Sequence, residues 1–161
     1  MNEKTWISKT PFGPKRIWAK LCMVVSKWAC FPTSIRIRIL RSGGVKIGKE
    51  CFIGAGVHFD TLFPNLIEIG DRCVITSGAH ILSHFYNTTD RKFYAGKVTI
   101  GNDVFIGLNS LIINSVNIGD SVTIGAASVI NRDVPANELW AGNPATFIKK
   151  QNETDTKIHT R

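Results

Sequence analysis

Residues 100–130 read IGNDVFIGLNSLIINSVNIGDSVTIGAASVI, with isoleucine at 100, 106, 112, 118, 124 and 130. A period of six belongs neither to a helix, which repeats every 3.6 residues, nor to an alternating strand, which repeats every two. Upstream the interval recurs at Ile47 and Ile53, and at Ile69, Ile75 and Ile81. Glycine follows at 48, 54, 70, 101, 107, 119 and 125. Four residues beyond every one of these isoleucines except Ile81 stands a small or β-branched side chain: Cys51, Val57, Cys73, Ala79, Val104, Ser110, Val116, Val122, Ser128 and Val134. Short strands turned through three corners per coil, about 18 residues in all, satisfy this pattern. The isoleucines then stack inward as ladders, the following glycine permits a tight corner, and the small residue fits the narrow interior. Each coil buries its inward face only against its neighbours, so the core is a stack.

The rhythm slips twice. From Ile53 to Ile69 is 16 residues, which makes HFDTLFPNL (58–66) an irregular excursion. From Ile81 to Ile100 is 19, one more than a coil, and SHFYNTTDRKFYAGK (83–97) is expected to be an extruded polar loop. Such a loop adds nothing to a solenoid's stability, whereas loops carried on rigid scaffolds concentrate binding and catalysis. Two histidines, His80 and His84, stand at this second break.

At 161 residues and 43% hydrophobic content the chain fits one globular domain with its own core. The net charge of +8 is unevenly spread. Residues 1–50 hold eleven Lys/Arg against Glu3 and Glu50, while residues 51–161 hold nine against ten acidic residues. No aromatic-and-basic signature accompanies the basic segment, so a nucleic-acid partner is not expected. Cys22, Cys30, Cys51 and Cys73 form no CxxC pair and no zinc spacing. The polar first ten residues do not resemble a cleavable signal peptide. Free thiols in a reducing cytoplasm are the expectation.

The repeat over 45–150, strongest at 100–130 and continued by RDVPANELWAGNPATFIKK (132–150), resembles the hexapeptide-repeat acyltransferase family. Its members include the maltose, galactoside and polysaccharide O-acetyltransferases. The resemblance implies an all-β fold, a left-handed parallel β-helix, to which the residue spacing adds a short N-terminal helical segment. It also implies a homotrimer and a capping tail at 132–150. The left hand comes from the resemblance alone, since ordinary crossovers favour the right.

The activity implied is transfer of acetyl from acetyl-CoA to a hydroxyl of a sugar or cell-surface polysaccharide precursor, with no metal. GAHILSHFYN (78–87) puts His84 where similar transferases carry the catalytic histidine, and a neutral imidazole suits deprotonation of a hydroxyl. His80, one residue before ladder residue Ile81, reads as structural, and His58 and His159 as surface residues. Matched position by position, the acetyl-CoA contacts fall on Leu108, Ala126, Asn131, Arg132 and Lys149. Thr146 departs from a position often basic in relatives. Acceptor candidates are Asp60, which would bind a hydroxyl or orient the imidazole, with Tyr86 and Asn87 beside His84. Phe85 departs from the acidic or proline residue expected there. Other readings are an N-acetyltransferase acting on an amino-sugar or small amine, and a non-catalytic scaffold subunit. The gamma-class carbonic anhydrases share the fold and bind zinc through three histidines. His58, His80 and His84 fit that pattern poorly, because the ligand spacing and the HG contexts are missing.

Residues 1–44 form a basic N-terminal segment. In IWAKLCMVVSKWACF (17–31), Ile17, Leu21, Val24 and Trp28 recur at helical spacing, and Pro32 ends the run. It is too short and too charged to span a bilayer. Two readings remain: a helix capping the solenoid, and an interfacial helix through residues 15–31 at the inner face of a membrane. RIRILR (36–41) alternates and reads as an edge strand leading into Val45, while 151–161 reads as a disordered tail.

Overall fold

The computed structural model describes residues 5–6, 13–27 and 31–151. The isoleucine period becomes three ladders of short parallel strands. On the first face Ile47, Ile69, Ile100 and Ile118 stand in register, and an isolated bridge carries the ladder on to Val134. The second face aligns Ile53, Ile75, Ile106, Ile124 and Trp140. On the third, Phe59 takes the place of an isoleucine above Ile81, Ile112 and Ile130. These side chains all belong to one buried cluster, Trp140 only in part. Nine of the ten small or β-branched positions are fully buried, and Cys51 is half-buried.

The glycines act differently from the sequence expectation. The corner turns through positive φ two residues later, at Glu50, Arg72, Asp103, Asn109, Ser121 and Ala127. The glycine after each isoleucine is needed for stacking instead. A methyl at Gly107 would sit 2.5 Å from Ala126 N, and one at Gly54 would sit 2.6 Å from Ser77 N. With no Cβ in the way, Gly107 N donates to Ile124 O at 2.9 Å and Gly70 N to Ile100 O at 2.8 Å, joining one coil to the next.

Both excursions are narrower than the spacing implies. His58–Phe59 is a coil strand, so the first excursion begins at Asp60 and ends in a 3-10 turn at Pro64–Leu66. The second is an insertion of thirteen residues beyond the six of one corner, since Ile81 and Ile100 lie on consecutive faces. It is a β-hairpin, not a loop. His84–Asn87 pairs antiparallel with Lys92–Ala95, which also pairs with Thr5–Trp6. Phe85 stacks on Tyr94 at 5.7 Å, an aromatic cross-strand pair that explains an apolar residue at that position.

Two helices cover the first coil, α1 (Pro14–Val25) and α2 (Thr33–Ser42). α1 stops at Val25, short of the expected end, and Pro32 stands at the start of α2. Trp28, Cys30, His159 and the tail from 152 onward lie outside the described residues. RIRILR is helical, not a strand. Arg36, Ile37 and Leu40 are buried together, a helical spacing that strand alternation cannot produce. Burial of Arg36 is offset by its donors: Nε to Ser26 O at 2.9 Å, Nη1 to Ile53 O at 2.7 Å and Nη2 to Phe31 O at 2.9 Å. Met23 and Leu40 join the ladder core, so the helices close the end of the stack. At the other end Glu138–Gly142 extends the second face and pairs antiparallel with Ala145–Lys150.

Candidate active site

The corner that follows the third face brings a carboxylate, a serine and a histidine together. Asp60 leaves the His58–Phe59 strand there, and one coil on, Ser83 and His84 leave His80–Ile81 at the same corner. Stacking of the two coils therefore brings residues 24 apart in sequence into contact: His84 Nδ1 lies 2.5 Å from Asp60 Oδ2. Asp60 is wholly buried and both its oxygens are engaged. Oδ1 accepts from Leu62 N at 2.8 Å and Phe63 N at 3.2 Å, and Oδ2 also accepts from Ser83 N at 2.9 Å. Ser83 Oγ, buried too, is within reach of Asp60 Oδ2 at 2.8 Å and Phe63 O at 3.1 Å.

Charges follow from this geometry. Burial alone would raise the Asp60 pKa. The hydrogen bond and charge of His84, with donation from Leu62 and Ser83, outweigh it and hold the carboxyl at about 2. His84 is pushed above its ordinary value, chiefly by the Asp60 hydrogen bond and against its partial burial. An ionised Asp60 accepts the proton on Nδ1, which leaves Nε2 as the free base of the neutral ring.

Asp60 was expected to bind an acceptor hydroxyl or to orient the imidazole. With no exposed surface it is placed for the second. Tyr86 is half-exposed on the same side of its strand as His84, with Phe93 4.9 Å away. Asn87 is spent on the hairpin turn, its Oδ1 accepting Thr89 N at 2.9 Å. Leu108 and Ala126 sit exposed one above the other at the corner before the third face, where Ala127 N donates to Leu108 O at 2.7 Å. Asn131 and Arg132 are exposed at the His84 corner, two coils on. Lys149 pairs with Leu139 at the end of the second face, away from that corner. His80 projects outward from the third face and stacks on His58 at 5.1 Å. His58 is shifted down by burial, Lys27 and His80, against a smaller opposing pull from Asp60. Among the described residues no group of three or more His, Cys, Asp or Glu could hold a metal.

Two residues escaped the sequence reading. Phe63 meets the His84 ring edge-on at 6.4 Å, and the Arg16 guanidinium lies 5.0 Å over Phe63. Arg16 belongs to a helix that no repeat phase relates to the coil, so only the folded chain links them.

Stacked coils of three six-residue sides, with a histidine on an extruded hairpin, are the architecture of hexapeptide proteins. The chain carries the hexapeptide repeat: the hexapeptide repeat of succinyl-transferase matches residues 44–83 and 97–132. A putative acetyltransferase of Bacillus subtilis, YvoF, is 32% identical over 71% of this chain and 65% of its own length. The matched segment spans 32% of each of two further curated acetyltransferases. A maltose O-acetyltransferase from Clostridium difficile has a similar structure, 26% identical, covering 86% of this chain and 87% of that one, with a TM-score of 0.62. A hexapeptide acetyltransferase from Vibrio cholerae, solved with acetyl coenzyme A, shares the fold at 22% identity and a TM-score of 0.70, covering 86% and 88%.

Proposed function

We propose that this protein transfers acetyl from acetyl-CoA to a hydroxyl of a sugar or cell-surface polysaccharide precursor, with His84 as general base. The observation that carries this reading is the Asp60–His84 pair at the root of the hairpin. A buried carboxylate that fixes the tautomer of a half-buried imidazole is an arrangement suited to proton abstraction. Acetyl-CoA supplies the activated acetyl group. Nε2 of His84 takes the acceptor hydroxyl proton as the oxygen attacks the thioester carbon, then returns it to the departing sulfur. Asp60 stays ionised and stabilises the imidazolium between the two transfers. Ser83 is buried against Asp60, so direct attack by the acceptor is favoured over an acyl-serine.

The proposed donor site is the strip between the exposed corner of Leu108 and Ala126 and the corner of Asn131 and Arg132. Arg132 is well suited to a CoA phosphate. Lys149 would take part from a neighbouring copy or through the far end of the nucleotide. Tyr86 is the acceptor contact we favour, and Asn87 shapes the turn. The coil is proposed to be left-handed and the assembly a homotrimer. Supporting assembly, Phe52 and Phe105 align on the outward row of the second face, each more than 40% exposed beside the half-exposed Leu108. Cytoplasmic residence belongs to the same proposal.

The test is a coupled assay for CoA release over a panel of sugars and amino-sugars. His84→Ala should lower kcat by roughly 10²–10⁴ with little change in acetyl-CoA binding. Unchanged kcat on an accepted sugar would remove His84 from the chemistry. Product formed only on amines would replace O-acetylation by N-acetylation.

A further inference from the structure

Helix α1 is apolar on two sides. Cys22 and Met23 face the core, while Ile17, Trp18, Leu21 and Val24, each 50 to 55% exposed, face away from it. At 100° per residue the four exposed side chains fall within one arc of about 120°. Beside them lies a groove of about 350 Å³ between α1 and α2, lined by Trp18, Leu21, Val25 and Ile39 with Arg38 and Ser42. Trp18 is pinned at this groove, its Nε1 donating to Ser42 Oγ at 2.9 Å. The surrounding charge has one sign. Residues 4–49 contain eleven Lys/Arg and no Asp or Glu. Lys15, Lys20 and Arg38 are exposed, and no ion pair among the described residues involves them.

We infer that the outer face of α1, with its groove against α2, docks on an anionic lipid bilayer. A protein partner of matching shape would be offered hydrogen-bonding or acidic counterparts here, but among the described residues the polar groups on this face are cations and Ser42. An interfacial helix needs an apolar stripe for the acyl boundary, an aromatic ring at headgroup depth and lysines or arginines toward phosphate; α1 and α2 present all three. No helix of the described residues is long and apolar enough to cross a membrane, so the contact lies in the plane of the surface. The same helix places Arg16, on its other side, over Phe63 and so beside His84. The inference is independent of acetyl transfer.

The experiment is co-sedimentation of the full chain with vesicles of phosphatidylcholine alone or mixed equally with phosphatidylglycerol. The protein should pellet with the mixed vesicles, be released by raised salt, and stay in solution with phosphatidylcholine. Each cation contributes about fivefold to partitioning, so Lys20→Glu with Arg38→Glu should weaken it at least about 25-fold. Ile17→Asp with Leu21→Asp should abolish it. The charge pair alters surface residues only, so it tests the inference even if the aspartate pair folds poorly. Failure to pellet with mixed vesicles, equal pelleting with both kinds, or retention by the charge-reversed protein would overturn the inference. So would a change of assembly state in lipid-free solution caused by the aspartate pair, which would give the face to a second copy.

Discussion

At the scale of single residues the account rests on Asp60 and His84. Because the base must be neutral, kcat/KM should fall as pH drops through a midpoint above 6.5, the direction in which Asp60 shifts His84. Asp60→Asn should move that midpoint down and cut kcat at least about tenfold, by removing the charge that fixes the ring. A pH–rate profile of both proteins checks it; an unmoved midpoint would mean the acid limb belongs to another group. Stability depends on the pair in both directions. The Asp60 contribution is full above its ordinary 3.8 and is lost as pH falls toward about 2, while that of His84 is full below 6.5 and fades as pH rises through its elevated pKa. The stop in a rigid period marks both His80 and His84 in the sequence, and the family resemblance singles out His84. The depth of Asp60 could not, since its burial depends on Leu62, Phe63 and Ser83 closing over it after the chain turns.

Among elements, the coils obey the sequence and the connections do not. The isoleucine ladders were readable because one side-chain type recurs at one interval, and each inward position has no alternative use. The role of the glycines was misread because turning and stacking both select small residues; only the contact between coils separates them. Gly107→Ala should therefore destabilise by about 1–3 kcal/mol through its clash with Ala126 N, whereas Gly13→Ala, which meets nothing within 4 Å among the described residues, should lose only the N-cap preference of α1, under about 1 kcal/mol. Chemical denaturation of both variants decides it, and equal midpoints would return the glycines to the corners. The hairpin was legible as an interruption but not as strands, because its pairing with Thr5–Trp6 joins distant segments. In α2, alternating Arg and Ile imitates a strand, and the buried Arg36 that settles the helix looks exposed to any hydropathy pattern. Arg36→Met should cost about 1–3 kcal/mol by removing the guanidinium that donates to the carbonyls of Ser26, Phe31 and Ile53, the last keeping only Thr33 Oγ1 at 3.4 Å.

For the whole molecule, the described chain is a closed stack. Helices cover one end, an antiparallel strand pair covers the other, and an apolar row remains on the second face. Sedimentation equilibrium should give a mass three times that of the chain, and Phe105→Asp should reduce it to one. A wild-type monomer at micromolar concentration would leave the donor strip open along its length and count against the proposed assembly. The central claim concerns the donor, and isothermal titration with acetyl-CoA measures it without knowledge of the acceptor. The account predicts saturable binding in the wild type and in His84→Ala, with binding weakened by Arg132→Ala. It also predicts thermal protection of about 2.7 kcal/mol at a hundred times the dissociation constant. No heat and no protection at millimolar acetyl-CoA would contradict it.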